Sequence, residues 1–364
     1  MPVYPLVFEP ICKPRIWGGG RIFAFFGRPR PTAEPVGESW ELADLEADQS
    51  RVINGPLRGE TLAEVVAAWG RDLMGHVELI DGRFPLLIKF LDAAEPLSVQ
   101  VHPSEAVARR LGGPVRIKHE AWYILSAEPG SVICHGHEAG VTASAFREAM
   151  LTGQMDGVLR RVAVKPGDCY YLPSGTPHAL GSGILLAEVQ TPSDVTYRMY
   201  DWDRIDPATG KSRELHLKQA MECVDFDSPP PSPMQERSHI GTVSTAVTRL
   251  AACPFFVVEK VRMSEGAQRE MPYDEPVVWI VLGGRGRIDW SGGGSMPFGK
   301  VNVVLLPAAL RDGRGSIDEA AQWLEVTVPI PSDLAAYDRP PPEQPAPTGQ
   351  TGFVPLNVPK APPA

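Results

Sequence analysis

The chain contains no CxxC pair. Its five cysteines (Cys12, Cys134, Cys169, Cys223 and Cys253) are odd in number and scattered over 364 residues. That argues against a disulfide framework or a cysteine zinc site and fits a reducing compartment, so a cytoplasmic location is expected. No apolar run of about eighteen residues is present, and no membrane association is expected. The opening residues MPVYPLVFEPICKPRIWGGG lack the basic end and long apolar run of a signal peptide. A nucleic-acid partner calls for clustered Lys and Arg, whereas the net charge here is -9. An anionic small substrate would need a local basic pocket against that field. Histidine is missing from the C-terminal third, because all eight lie between His76 and His239.

What is present reads as mostly β. Pro (38) and Gly (35) are abundant, and short runs rich in Val, Ile, Leu and Tyr alternate with turn signals. Strands are expected in 84–93, 97–103, 121–127, 130–136, 168–175, 184–190, 255–263, 277–284 and 301–308. Helices are expected at 61–75, where Thr61 and Glu64 form a capping-box pattern, and at 104–112, 142–161 and 213–224. A faint repeat pairs 120–134 with 276–290 and 164–178 with 298–312, which suggests two related barrels. The expected division is a metal-binding domain at 1–227 with a short helical insert, a linker at 228–242, a histidine-free second barrel at 243–337 and a Pro-rich tail at 338–364.

In LSVQVHP (97–103), Ser98, Gln100 and His102 alternate with apolar residues and share one strand face. Glu120 opens the next apolar strand. His178 closes a G-x5-P-x-G-x2-H pattern running from Gly167 through Pro173 and Gly175, whose turn residues set a hairpin that aims the histidine inward. Two His, one carboxylate and an amide oxygen suit Zn²⁺ with an open position. Taken alone, the Ser-x-Gln-x-His strand is more often a solvated face, and a lone Glu is more often on the surface. The combination with the hairpin histidine is what points to a metal. His76 and His239 read as exposed. His135 and His137 sit at a Gly-flanked turn with no third ligand, and His119 alternates away from Lys118 and Glu120.

These residues resemble the type I mannose-6-phosphate isomerases of the shorter bacterial kind, in the cupin superfamily. The matching stretches are KPRIWGG (13–19), GESWELAD (37–44), PLLIKFLDAAEPLSVQVHP (85–103), KHEAWYIL (118–125), PGDCYYLPSGTPHAL (166–180) and EVQTPSDVTYRMYDWDR (188–204). The resemblance implies two cupin-like, jelly-roll barrels with a few short helices. It also implies one zinc per chain held by Gln100, His102, Glu120 and His178, a catalytic Arg198, and Lys118 and Glu188 near the site. The implied activity interconverts mannose 6-phosphate and fructose 6-phosphate through an enediol, in a monomer or homodimer. Larger members carry an extra helical domain, of which the helix at 142–161 is what remains here.

That chemistry needs a base and a cation beside the developing negative charge. Arg198 suits the second role. For the base, strand parity favours Glu188, while a metal and partial burial would lower the Lys118 pKa and make it the alternative. Ser98, Lys118 and Arg198 are the candidate substrate contacts, with Arg204 six residues further on. The run Trp17-Gly18-Gly19-Gly20 could cradle a phosphate but reads more readily as a turn closing the barrel mouth, and with no helix expected after it at phosphate-loop spacing a nucleotide site is not expected. Competing readings are an Fe(II) dioxygenase built on two His and one carboxylate, and a non-catalytic sugar-phosphate-binding paralogue.

Overall fold

The computed structural model describes residues 2–112, 115–206, 209–228, 232, 237–300 and 302–329. Among these residues, antiparallel sheets of nine, six and five strands dominate, with short helices between them. The fold is therefore mostly β, as the alternating runs suggest. The expected tail at 338–364 lies outside the described residues. No helix among them is long and apolar enough to cross a membrane.

The six-stranded sheet runs in the order Ile11–Gly19, Val36–Leu42, Leu87–Ala93, Ile184–Gln190, Glu120–Ala127, Cys169–Leu172. The five-stranded sheet runs Tyr197–Tyr200, Val99–Val101, His178–Leu180, Val132–His137, Leu159–Ala163. Trp17, Leu91, Leu97, Trp122, Ile133, Leu180 and Leu186 form one core cluster drawn from both sheets. On its other face the six-stranded sheet packs Phe90, Tyr123 and Ala187 against Val258, Ile280 and Val326 of the nine-stranded sheet. Burial on both faces explains why every residue of Leu87–Ala93 and Ile184–Gln190 is buried. The outer face of the five-stranded sheet is covered by Phe146, Met150, Ala220 and Cys223 from two of the helices.

Several boundaries differ from the sequence expectation. The helix expected at 142–161 spans Ala143–Thr152 and stops at Gly153, whose left-handed φ of 70° caps it. A 3-10 turn follows, and Leu159–Ala163 is a strand paired with Val132–His137. The helix at 61–75 has its capping box at Thr61 but breaks at Gly70. The helix at 213–224 begins only at Leu217, because the Arg213 side chain and the Glu214 carbonyl are engaged by Asp201 and Arg198. A six-residue helix, Arg21–Phe26, does follow Gly20. Its first N–H donates to the buried Asp92 carboxylate at 2.5 Å, so no anion is needed there. Near the expected linker, His239–Gly241 is already a strand of the nine-stranded sheet, which also takes in Leu6–Val7 from the N-terminus.

Candidate active site

Two ladders face each other between the six- and five-stranded sheets. On the five-stranded side, Gln100 is in register with both His178 and Arg198. Val99 and Val101 bury themselves under the helices, which turns Ser98 and Gln100 the other way, into a cavity. On the six-stranded side, Glu120 is in register with Gln190, and Glu188 with both Trp122 and Lys89. The polar face of LSVQVHP thus points inward.

His102, Glu120 and His178 are all buried, and their ligand atoms lie within 4.8 Å of one another. His102 Nε2 is 3.2 Å from Glu120 Oε1, and His178 Nε2 is 3.5 Å from Oε2. Neither Nε2, nor either Glu120 oxygen, has an aligned hydrogen-bond partner. Orphaned buried polar atoms are costly, and four converging on one point form a donor set for a cation. The distal nitrogens are held. His102 Nδ1 lies 3.0 Å from the Val195 carbonyl and His178 Nδ1 lies 2.8 Å from the Thr176 carbonyl. A carbonyl can only accept, so Nδ1 carries the proton and the Nε2 lone pair faces inward. Burial, and then the Lys118 ammonium, push His102 down to about 3, while burial also lowers His178. Both rings are therefore neutral, the form a metal needs.

The cavity encloses about 400 Å³ and is lined by Ser98, Gln100, Lys118, Glu188 and Arg198, together with Arg15, Trp17, Glu38, Trp40, Lys89 and Arg213. Glu188 is buried. Its Oε2 accepts from Trp122 Nε1 at 2.8 Å, and Oε1 lies 3.4 Å from Lys89 Nζ. Burial, and then the Glu120 charge, raise its carboxyl above the usual carboxylate range. Lys118 Nζ is 2.7 Å from Glu120 Oε1. Burial lowers the Lys118 pKa, but Glu120 and Glu188 more than offset it, so the net direction is upward. The lowered pKa expected for Lys118 as a base depends on a metal ion beside it. Arg198 has neutral partners: Nε donates to Ser98 Oγ at 3.3 Å and Nη1 to the Glu214 carbonyl at 2.8 Å. Its charge is unmatched by any ion pair among the described residues.

Other expectations resolve differently. Arg204 turns away from the cavity, to the Pro96 carbonyl, Glu95 and Asp201. His135 uses one nitrogen at the Tyr171 carbonyl and the other at Arg160, so it offers no ligand atom. His137 lies near the Glu138 and Asp225 carbonyls. His119 bonds the Tyr171 hydroxyl at 2.8 Å, away from the site. His76 and His239 are exposed. Lys89, Glu38, Arg15 and Arg213 were not singled out from the sequence. A signal existed for Lys89: a lone charge inside the apolar run PLLIKFLDA.

The profile described as "Phosphomannose isomerase type I, catalytic domain" matches residues 6–126. The relative named Mannose-6-phosphate isomerase ManA, from Bacillus subtilis (strain 168), is 42% identical over 313 residues, covering 85% of this chain and 95% of its own. The chain belongs to the type I phosphomannose isomerase family. A crystal structure of the mannose 6-phosphate isomerase from Bacillus subtilis superposes with a TM-score of 0.79 at 33% identity, covering 88% of this chain and 99% of that one. A structure titled mannose 6-phosphate isomerase (holo; zinc bound) shares the fold, with a TM-score of 0.69 at 15% identity over 89% of this chain and 99% of that one. Within the phosphomannose isomerase family, the stretch matched by the profile carries His102 and Glu120. His178 lies beyond it.

Proposed function

We propose that this chain interconverts mannose 6-phosphate and fructose 6-phosphate, with one zinc ion held by His102, Glu120 and His178 and with Gln100 as the fourth ligand. The observation that carries the reading is the convergence of His102 Nε2, His178 Nε2 and the Glu120 carboxylate, all buried, next to Lys118, which itself lines a cavity rich in cations. Their fit to a divalent cation rests on neutral imidazoles, one carboxylate and locked Nδ1 protons. When bound, Zn²⁺ supplies Lewis acidity toward the sugar oxygens at C1 and C2. Family membership and the zinc-bound fold relative support both halves of the proposal. The stacked sheets fit two cupin-like barrels, the first bearing the site and the second with no histidine beyond His239 on its edge strand.

The chain's own groups divide the remaining work. Glu188 takes the carbon-bound proton, passing it between C1 and C2 through an enediol. Its raised pKa brings a carboxylate base nearer the operating range, and Trp122 and Lys89 fix its orientation. Lys118, kept charged by two carboxylates, donates to a substrate oxygen rather than taking a proton. Arg198, with Ser98 beside it, offers an uncompensated guanidinium for the anionic end of the substrate and for charge that develops during transfer. Arg213 extends that basic end of the cavity.

The test is a coupled assay of mannose 6-phosphate conversion by the metal-loaded protein. Turnover to fructose 6-phosphate is expected. Binding without conversion would instead favour a sugar-phosphate sensor, and iron with oxygen consumption would favour a dioxygenase.

A further inference from the structure

Arg15 lies on Ile11–Gly19, the edge strand of the six-stranded sheet. The register against Val36–Leu42 breaks so that Pro14 and Gly19 both face Val36, and residues 15–18 bulge out. The bulge rests on Gly37, where a Cβ would come within 2.6 Å of both the Arg15 Cβ and the Trp17 ring. Only a bare α-carbon lets the strand lie this close, and the contact holds Arg15 and Trp17 at the cavity wall.

Arg15 Nε donates to Glu38 Oε1 at 2.8 Å, while Trp40 Nε1 donates to Oε2 at 2.7 Å. Burial disfavours the Glu38 carboxylate, but Lys89 and then Arg15 more than offset it. Glu38 thus keeps Lys89 and Trp40 if Arg15 leaves. The Arg15 side chain is 37% exposed, so breaking its ion pair is cheap. The other two arginines of the cavity are tied down. Arg213 pairs with the buried Asp201, and Arg198 is fixed by Ser98 and the Glu214 carbonyl. All three arginines line the same cavity.

We propose that Arg15 exchanges Glu38 for the anionic group of the substrate, and so sets the preference for phosphorylated over neutral sugars. This deepens the sugar-phosphate reading above and rests on it.

The test compares Arg15→Gln, Arg15→Lys and Glu38→Gln with the parent protein, all four metal-loaded. Mannose 6-phosphate kinetics, competition by inorganic phosphate and calorimetric binding of inorganic phosphate are measured. Arg15→Gln is expected to raise KM and the phosphate inhibition constant together by about ten-fold, the size of one charge-assisted hydrogen bond, with kcat nearly unchanged. Arg15→Lys should recover part of the loss, and Glu38→Gln, which frees Arg15, should tighten phosphate binding. Unaltered phosphate binding in Arg15→Gln, or a kcat loss at constant KM, overturns the proposal and leaves Arg15 as a partner of Glu38 only. If the parent does not isomerise mannose 6-phosphate, the calorimetry still decides. Weaker phosphate binding by Arg15→Gln then supports the anion role while the isomerase reading alone fails.

Discussion

Two buried charge clusters of the chain, one among the first two sheets and one in the nine-stranded sheet, are built in opposite ways. Between the first two sheets, His102, Lys118, Glu120, His178 and Glu188 are buried together, and Nε2 of both histidines and Glu120 Oε2 have no hydrogen-bond partner. In the nine-stranded sheet, Glu325 is the one buried charged residue among those described, and its needs are met. Arg269 binds both carboxylate oxygens at 2.9 and 2.7 Å, and Trp323 Nε1 donates to one of them at 3.1 Å. What that core leaves unpaired is neutral: the Tyr273 hydroxyl and the Trp279 indole. A closed pair is a structural device. An open cluster of ionisable groups, expensive to keep unpaired, is retained for something that binds there.

That contrast predicts different consequences for removing charge in each cluster. The largest effect belongs to the open cluster. His178→Ala should lose bound metal and lower turnover by more than about 100-fold, read by metal analysis beside the coupled assay, with the far-ultraviolet circular dichroism retained. Next is Glu188→Gln, expected to keep the metal but lower kcat by about 10² to 10⁴, the range for a lost general base. Near-normal turnover in that variant would remove Glu188 as the base. In the closed pair the outcome reverses. Glu325→Gln should cost about 3 kcal/mol of stability by leaving Arg269 without its counter-charge, measured by denaturant unfolding. Its kcat at low temperature should stay close to the parent value, and a large loss of kcat would blur the distinction between the clusters. The smallest effect is Thr61→Ala, which removes a capping box remote from both and should cost about 1 kcal/mol without changing kinetics.

Much of the site was legible because strand periodicity is short-range. Alternation in LSVQVHP assigned Ser98 and Gln100 to one face and the valines to the other, and the parity of Leu186, Glu188 and Gln190 did the same for the neighbouring sheet. Gly167 and Gly175, both at positive φ, marked the turns around the hairpin that delivers His178. Less legible was whatever depended on distant partners. The direction of the Lys118 shift is set by Glu120 and Glu188 together, and the second of these is seventy positions away in sequence. Arg204 looked like a substrate contact by spacing but is drawn off by Glu95 and Asp201. Helix ends were missed where a tertiary contact, such as Asp201 with Arg213, overrode a local pattern. The pairing of Leu6–Val7 with Val303–Leu306 spans nearly the whole chain and has no local signature.

The most direct measurement is metal content against turnover, made on protein purified without chelator, then stripped and reloaded. One zinc per chain, mannose 6-phosphate turnover that disappears on chelation, and its return with added zinc are the predicted results. A chain that isomerises mannose 6-phosphate at full rate after the metal is removed would contradict the role assigned to His102, Glu120 and His178.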